Sequence, residues 1–181
     1  MLSIASRIAS FVTCSRYEAL DTAIIEQTKK LILDHMGVSL AGYHLMEFPR
    51  LMVSYVSTMG GSPEASIIPG GQKIPAVNAA LANGVCAHAL DMDDGHRFGA
   101  LHPGAAVIPA ALAAGELVRC DGRTFIASVV AGYEVMIRVG MAVTPASIKR
   151  GFHLTGIAGT FGAAAAAGKI LGAETVGSPE S

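Results

Sequence analysis

Apolar residues recur along this chain at three- and four-residue intervals far more often than at every second position, a spacing that predicts helices almost throughout. Ile4, Ile8, Phe11 and Val12 fall on one stripe of a first helix. From Thr22 to Leu40, Ile24, Ile25, Leu31, Ile32, Met36 and Leu40 trace a second stripe, with Ala41-Gly42 as its stop signal. A third helix runs from Phe48 to Met59, ended by Gly60-Gly61. Ser66-Ile67-Ile68, bounded by Pro63 and Pro69-Gly70-Gly71, is the one short extended piece. Pro75 opens a helix to about Leu90, and Pro103 opens another through Glu116 and Val118 to the turn at Asp121-Gly122. Thr124 is placed to cap a helix from Phe125 to about Met141, before Pro145. A last helix spans Thr155 to Leu171. Its Gly156, Ala158, Gly159, Gly162 and the run Ala163 to Ala167 predict a central, fully buried helix that its neighbours approach closely. The tail Gly177-Ser178-Pro179-Glu180-Ser181 follows almost at once. The expected fold is all-α, a multi-helix bundle-like domain over residues 1–181.

The chain of 181 residues is long enough for a substantial core. Its 51% hydrophobic content and mean hydropathy of +0.48 exceed what one such core needs. No stretch of about 18 residues reads as free of charged or polar interruption, as a membrane span requires. The surplus apolar surface therefore predicts burial against a partner: a homodimer or a missing C-terminal half. A formal charge of -1 gives no field for nucleic acid or a membrane surface. Cys14, Cys86 and Cys120 show no metal or disulfide spacing, which suits a reducing, cytoplasmic compartment. Met1 to Arg16 carries Arg7, Arg16 and several serines with no acid before Glu18, in the manner of a presequence; its helical stripe favours a first helix of the fold.

Against that background the stretch Asn83 to His102 stands out, with His88, His96 and His102 among Asp91, Asp93 and Asp94. Charged residues are only 15% of the chain, and aspartate avoids apolar surroundings unless paired. Two chemistries fit. His88, Asp91, Asp93, Asp94 and His96 offer ligands for Mg²⁺, Mn²⁺ or zinc, although the remaining acids, Glu116, Asp121, Glu134 and Glu174, are scattered. Metal-free acid–base catalysis is the other. Asp91 then sits at a helix C-terminus, where the macrodipole disfavours negative charge. His102 precedes Pro103 at a helix N-terminus whose free N–H groups suit an anion. His153 stands in a second glycine-flanked loop before a helix. Blander roles are also open: Asp93 or Asp94 capping the turn or pairing with Arg97, and His35 and His44 as structural residues.

The order of motifs carries a resemblance. Ala79-Ala80-Leu81-Ala82-Asn83-Gly84, Ala87-His88-Ala89-Leu90-Asp91-Met92-Asp93-Asp94, His102-Pro103 with Val107-Ile108-Pro109-Ala110, Gly132-Tyr133-Glu134-Val135, and Arg150-Gly151-Phe152-His153-x-Thr155-Gly156 followed by Phe161-Gly162-Ala163-Ala164 resemble the MmgE/PrpD family. Leu33-Asp34-x-x-Gly37-Val38-x-Leu40-Ala41-Gly42 fits its early helix. The resemblance implies the N-terminal part of an all-helical domain, with a smaller α+β lid elsewhere, a dimer, and no metal or organic cofactor. It places the catalytic groups on Asp91, His102 and His153. The implied reaction is that of a lyase, a metal-independent dehydratase acting on a small di- or tricarboxylic acid such as 2-methylcitrate by proton abstraction α to a carboxylate. Decarboxylation, epimerisation, or an inactive helical remnant are the alternatives. Arg97 and Arg150 are the nearest cations for substrate carboxylates, with Gly104 beside them in the substrate-binding set. Gly95 and Gly104 stand where many members carry Thr and Ser, and the Asp91-to-His102 spacing is about one residue longer than in the decarboxylases. Members are more than twice as long, so the lid, the end of the helical domain, and site lysines and a tyrosine are expected outside this chain. Lys169 is not expected to replace them.

Overall fold

The computed structural model of the chain describes residues 3–173; Glu174 and the tail from Gly177 to Ser181 lie outside the described residues. The helical periodicity resolves into α1 (Ile4–Cys14), α2 (Thr22–Leu45), α3 (Glu47–Thr58), α4 (Ala76–His88), α5 (Pro103–Val118), α6 (Gly122–Val143), α7 (Ala146–Lys149) and α8 (Leu154–Ile170), with a 3-10 turn at Tyr17–Ala19. Among the described residues the fold is all-α apart from one two-residue antiparallel pair, β1 (Ala65–Ser66) and β2 (Lys73–Ile74), in which Ala65 faces Ile74 and Ser66 faces Lys73.

Three features differ from the sequence expectation, each for a local reason. Gly42 does not stop α2, which continues to Leu45. A Cβ at Gly42 would run into the carbonyl of Cys86, so this glycine lets α2 lie directly on α4. Thr124 is not the cap of α6. The Asp121 carboxylate accepts the Thr124 N–H at 2.7 Å, starting the helix at Gly122. That bond holds the Asp121 carboxyl below its ordinary range. Nor is α8 fully buried. Leu154, Ala158, Gly162, Ala166 and Ile170 point inward, while Phe161 is 53% exposed, because the small residues serve contacts on one side only.

The main core lies where α5, α6 and α8 meet, around Leu101, Val107, Ile108, Met136 and Leu154. The α6–α8 crossing is tightest at two glycines: a Cβ on Gly132 would stand 2.9 Å from the Gly162 carbonyl, and one on Gly162 would stand 3.0 Å from the Gly132 carbonyl. By length and composition α6 can cross a membrane, contrary to the expectation that no stretch would. Here its buried residues face the core, and Arg138 pairs with Glu134 at 2.7 Å on its outer side. At the other end of the domain, Lys169 donates to the Val12 carbonyl at 2.9 Å and ties α8 to α1.

A second core, of Val56, Ile67, Ile74, Ala79 and Ala82, sits under the strand pair. Buried Asn83 fastens that region to α4, accepting from Ile68 N–H at 2.8 Å and donating to the Ser66 carbonyl at 2.9 Å. Glu116 of α5 takes the other side: Ser66 donates to it from both N–H and Oγ, and the Lys73 ammonium lies 3.1 Å away. Partial burial works against its charge, but these partners prevail and hold the Glu116 carboxyl below its ordinary value.

The contact that sets the site is between α4 and α5. Pro109 has no N–H to bond the Ala105 carbonyl, and a Cβ on Gly84 would lie 2.8 Å from that oxygen. Gly84 is one helical turn before His88, and Ala105 lies just after His102. Close approach at this glycine therefore brings the two histidines together.

Candidate active site

His88 is the last residue of α4, and the chain leaves the helix at once. Asp91 follows in the left-handed region (φ +52°), which aspartate tolerates better than most residues, with its N–H on the His88 carbonyl at 3.2 Å. The loop then crosses under itself through a His96–Leu101 bridge and delivers His102 as the N-cap residue of α5. His153 is the N-cap residue of α8. The starts of these two helices are joined, because the His102 N–H donates to Thr155 Oγ1 at 3.0 Å.

The side chains converge. His88 Nδ1 lies 3.0 and 3.1 Å from the two oxygens of Asp93. His102 lies between two carboxylates, Nε2 at 3.5 Å from Asp91 Oδ1 and Nδ1 at 3.4 Å from Asp93 Oδ1. The His88 ring centre is 5.0 Å from that of His102 and 6.0 Å from that of His153. The environments of the two aspartates differ sharply: the Asp93 side chain is 2% exposed and that of Asp91 81%. One buried acid can orient imidazoles, and one open acid can meet a ligand.

The structure thus brings Asp91, His102 and His153 to one mouth and adds His88 and Asp93, which the metal-free reading of the sequence had left out. His88 and Asp93 are five residues apart, on either side of a helix end that the spacing rule for helical faces cannot see past. His96 accepts the Gly99 N–H at 3.1 Å and shapes the loop.

Asp94 takes a different part. Its Oδ1 accepts the Gly104 N–H at 2.8 Å, rather than pairing with Arg97. Burial first, and then the charges of Asp93 and Asp34, push its carboxyl up, against the Gly104 bond. The Tyr133 hydroxyl faces it without closing a well-formed hydrogen bond, and burial beside this acid pushes the phenol well above its usual range. The expected anion site at the start of α5 is therefore already partly engaged by the chain. Pro103 has no N–H, His102 N–H is held by Thr155 and Gly104 N–H by Asp94. A Cβ at 104 would press on the Asp94 carboxylate and stand 3.0 Å from the Tyr133 hydroxyl, so a larger residue there displaces Asp94; at Gly95 nothing lies within 4 Å among the described residues. Gly104 is buried, and its N–H is held by Asp94. Arg97 and Arg150 are both exposed and take no part in the described ion pairs. Lys169, bound to Val12, is not among the site groups.

One ligand atom from each of His88, Asp91, Asp93 and His102 lies within 4.8 Å of all the others, a donor set that a first-row divalent ion accepts. The same contacts suit proton transfer equally. His88 and His102 each face a carboxylate, and a proton on His102 would have an oxygen facing it on either side. His35, the buried histidine of α2, stands apart from these partnerships: among the described residues neither ring nitrogen has a partner, and burial lowers its pKa to about 4.

Fold and site together define an all-helical domain with a histidine–carboxylate cluster at the ends of three helices, α4, α5 and α8. The model of the MmgE/PrpD N-terminal domain matches residues 6–176, and the chain belongs to that family. Cis-aconitate decarboxylase of Mus musculus is 30% identical over 94% of this chain and 36% of its own length. The Homo sapiens enzyme of the same name is 29% identical over 94% and 36%. That of Aspergillus terreus is 28% identical over 93% and 36%. The chain thus spans little more than a third of the relatives it matches.

Proposed function

We propose that this chain forms the proton-transferring part of a metal-independent lyase acting on a small di- or tricarboxylic acid. The observation that supports this most is the bracketing of His102 by Asp91 and Asp93, with His88 and His153 around the same mouth. In a dehydration, a base removes the proton α to a carboxylate, the C–O bond breaks, and an acid protonates the departing hydroxide to water. In a decarboxylation, the C–C bond breaks, CO₂ leaves, and the electron pair left on carbon takes a proton from the enzyme. Both need a proton exchanged at carbon, and His102 with Asp91 beside its Nε2 fills that role. His153 serves as the second acid or holds a substrate carboxylate, while Arg97 and Arg150 supply cations at the rim.

The names of the matched relatives favour decarboxylation of cis-aconitate over dehydration of 2-methylcitrate. Exposed Leu45, Phe48, Leu51 and Tyr55 on α2 and α3 support assembly with a second copy of the chain. The test is incubation with cis-aconitate or 2-methylcitrate in D₂O without added metal. It is run with and without the C-terminal part of a matched decarboxylase supplied in trans, and read by proton NMR. From cis-aconitate, decarboxylated product carrying solvent deuterium is expected; from 2-methylcitrate, the dehydrated product, which needs no deuterium at carbon. Asp91→Asn or His102→Gln should lower either rate by about 10²–10⁴. Deuterium entering without net product would turn the reading to an epimerase. No deuterium and no product in any mixture would refute proton transfer as the function.

A further inference from the structure

We infer that Asp93 is the positioning residue of this site: a single buried carboxylate that fixes the same tautomer on two histidines, His88 and His102. It rests on the acid–base reading above and deepens it. Asp93 sits at the hub of the cluster, its side chain 2% exposed, with both oxygens within 3.1 Å of His88 Nδ1. On its other side, His102 Nδ1 is shielded from solvent and closes no well-formed hydrogen bond among the described residues, but an Asp93 oxygen faces it at 3.4 Å and is the carboxylate acceptor placed for its N–H. Such bonds are often long before substrate binds.

An ionised carboxylate only accepts, so each facing nitrogen carries the proton. Both rings are then held as Nδ1–H, and Nε2 of each is left for chemistry. Asp91 Oδ1 also faces His102 Nε2, at 3.5 Å, but its side chain is 81% exposed and water competes for it. The buried Asp93 therefore decides the resting tautomer, and Asp91 pairs with Nε2 once that nitrogen takes up a proton. For His88, Nε2 is a second site for a proton, on a residue that lines the groove among α4, α5 and α8 with Gly84, Ala105, Thr155 and Gly156. Asp93 needs no contact with substrate for this. Its burial keeps the charge off the reacting carbon, while Asp91, in the open, is free to meet it. Asparagine cannot replace it: a carboxamide has one acceptor oxygen, and its NH₂ would favour the opposite tautomer on the other ring.

The test needs no turnover, so it stands or falls apart from the proposed activity. Long-range proton–nitrogen correlation spectra of the uniformly ¹⁵N-labelled chain, at a pH where the imidazoles are neutral, report which nitrogen of each ring carries the proton. Assignment follows from His88→Gln and His102→Gln. Nδ1–H is expected on both rings of the wild type. Asp93→Asn should lower the ratio of Nδ1–H to Nε2–H at least about tenfold on one ring or both, the scale of losing one charge-assisted hydrogen bond. Asp94→Asn, whose partner is a backbone N–H, should leave both rings unchanged. Nε2–H as the main form of either ring in the wild type would overturn the inference with no variant needed. So would unchanged tautomers in Asp93→Asn. Where deuterium exchange is measurable, Asp93→Asn should lower kcat and leave KM nearly unchanged.

Discussion

Replacing Gly132 with alanine tests whether the α6–α8 crossing is as tight as the geometry says. The added Cβ would lie 2.6 Å from Val107 Cγ1, 2.9 Å from Ala166 Cβ and 2.9 Å from the Gly162 carbonyl, so it is closed in on three sides, one of them backbone. Overpacking a filled site costs about 1–3 kcal/mol, and the rigid carbonyl puts this case in the upper part of that range. Alanine also gains about 1 kcal/mol over glycine as a helix former. The net is a loss of about 1–2 kcal/mol, or a fall in Tm of roughly 2–8 °C for a domain of this size. Gly37 is the control. It lies on the exposed side of α2 with nothing within 4 Å of its would-be Cβ, so Gly37→Ala should stabilise by about 0.5–1 kcal/mol. Urea unfolding with Cm and m fitted separately decides the sign. The reasoning is refuted if Gly132→Ala raises Cm as Gly37→Ala does. It is also refuted if the costs of Gly132→Ala and Gly162→Ala add fully, since helices already forced apart by one methyl should admit the second more cheaply. Because α8 carries Thr155, which holds His102 N–H, the same variant should shift the His102 ring signals although Gly132 does not touch that ring.

Other predictions concern single groups. His35 is protonated near 6.5 when unfolded but only near 4 when folded; its contribution is therefore full above 6.5 and is lost as pH falls through 4, by about 3 kcal/mol. Urea titrations at pH 7.5 and pH 4 should show that loss in the wild type and a smaller one in His35→Leu; equal slopes would place the sensitivity elsewhere. Ala100 adopts φ +48°, so Ala100→Gly should stabilise by about 0.5–1 kcal/mol after the looser unfolded chain is allowed for, a gain read in the same unfolding assay. EDTA should leave the deuterium-exchange rate unchanged; a loss restored by Zn²⁺ would make His88, Asp91, Asp93 and His102 metal ligands.

By itself the sequence determined the helices and the elements that bear the chemistry. Period-3.6 stripes, prolines at 75 and 103, and an improbable density of histidine and aspartate in an apolar chain are local signals, legible without knowing what packs on what. Asp91, His102 and His153 were visible for that reason, as residues at the junctions of loops and helices. Tertiary structure alone decided how those junctions meet. Gly42 reads locally as a stop and acts as a contact, because its meaning depends on the Cys86 carbonyl of another helix. The start of α5 reads as an open anion site, yet two of its N–H groups are taken, because Asp94 and Thr155 return to it. Asp93 could not be told from Asp94 by spacing. One fold of the loop buries Asp93 between two imidazoles and sets Asp94 on a backbone N–H, since a carboxylate entering an apolar interior takes whatever donors the packing leaves within reach.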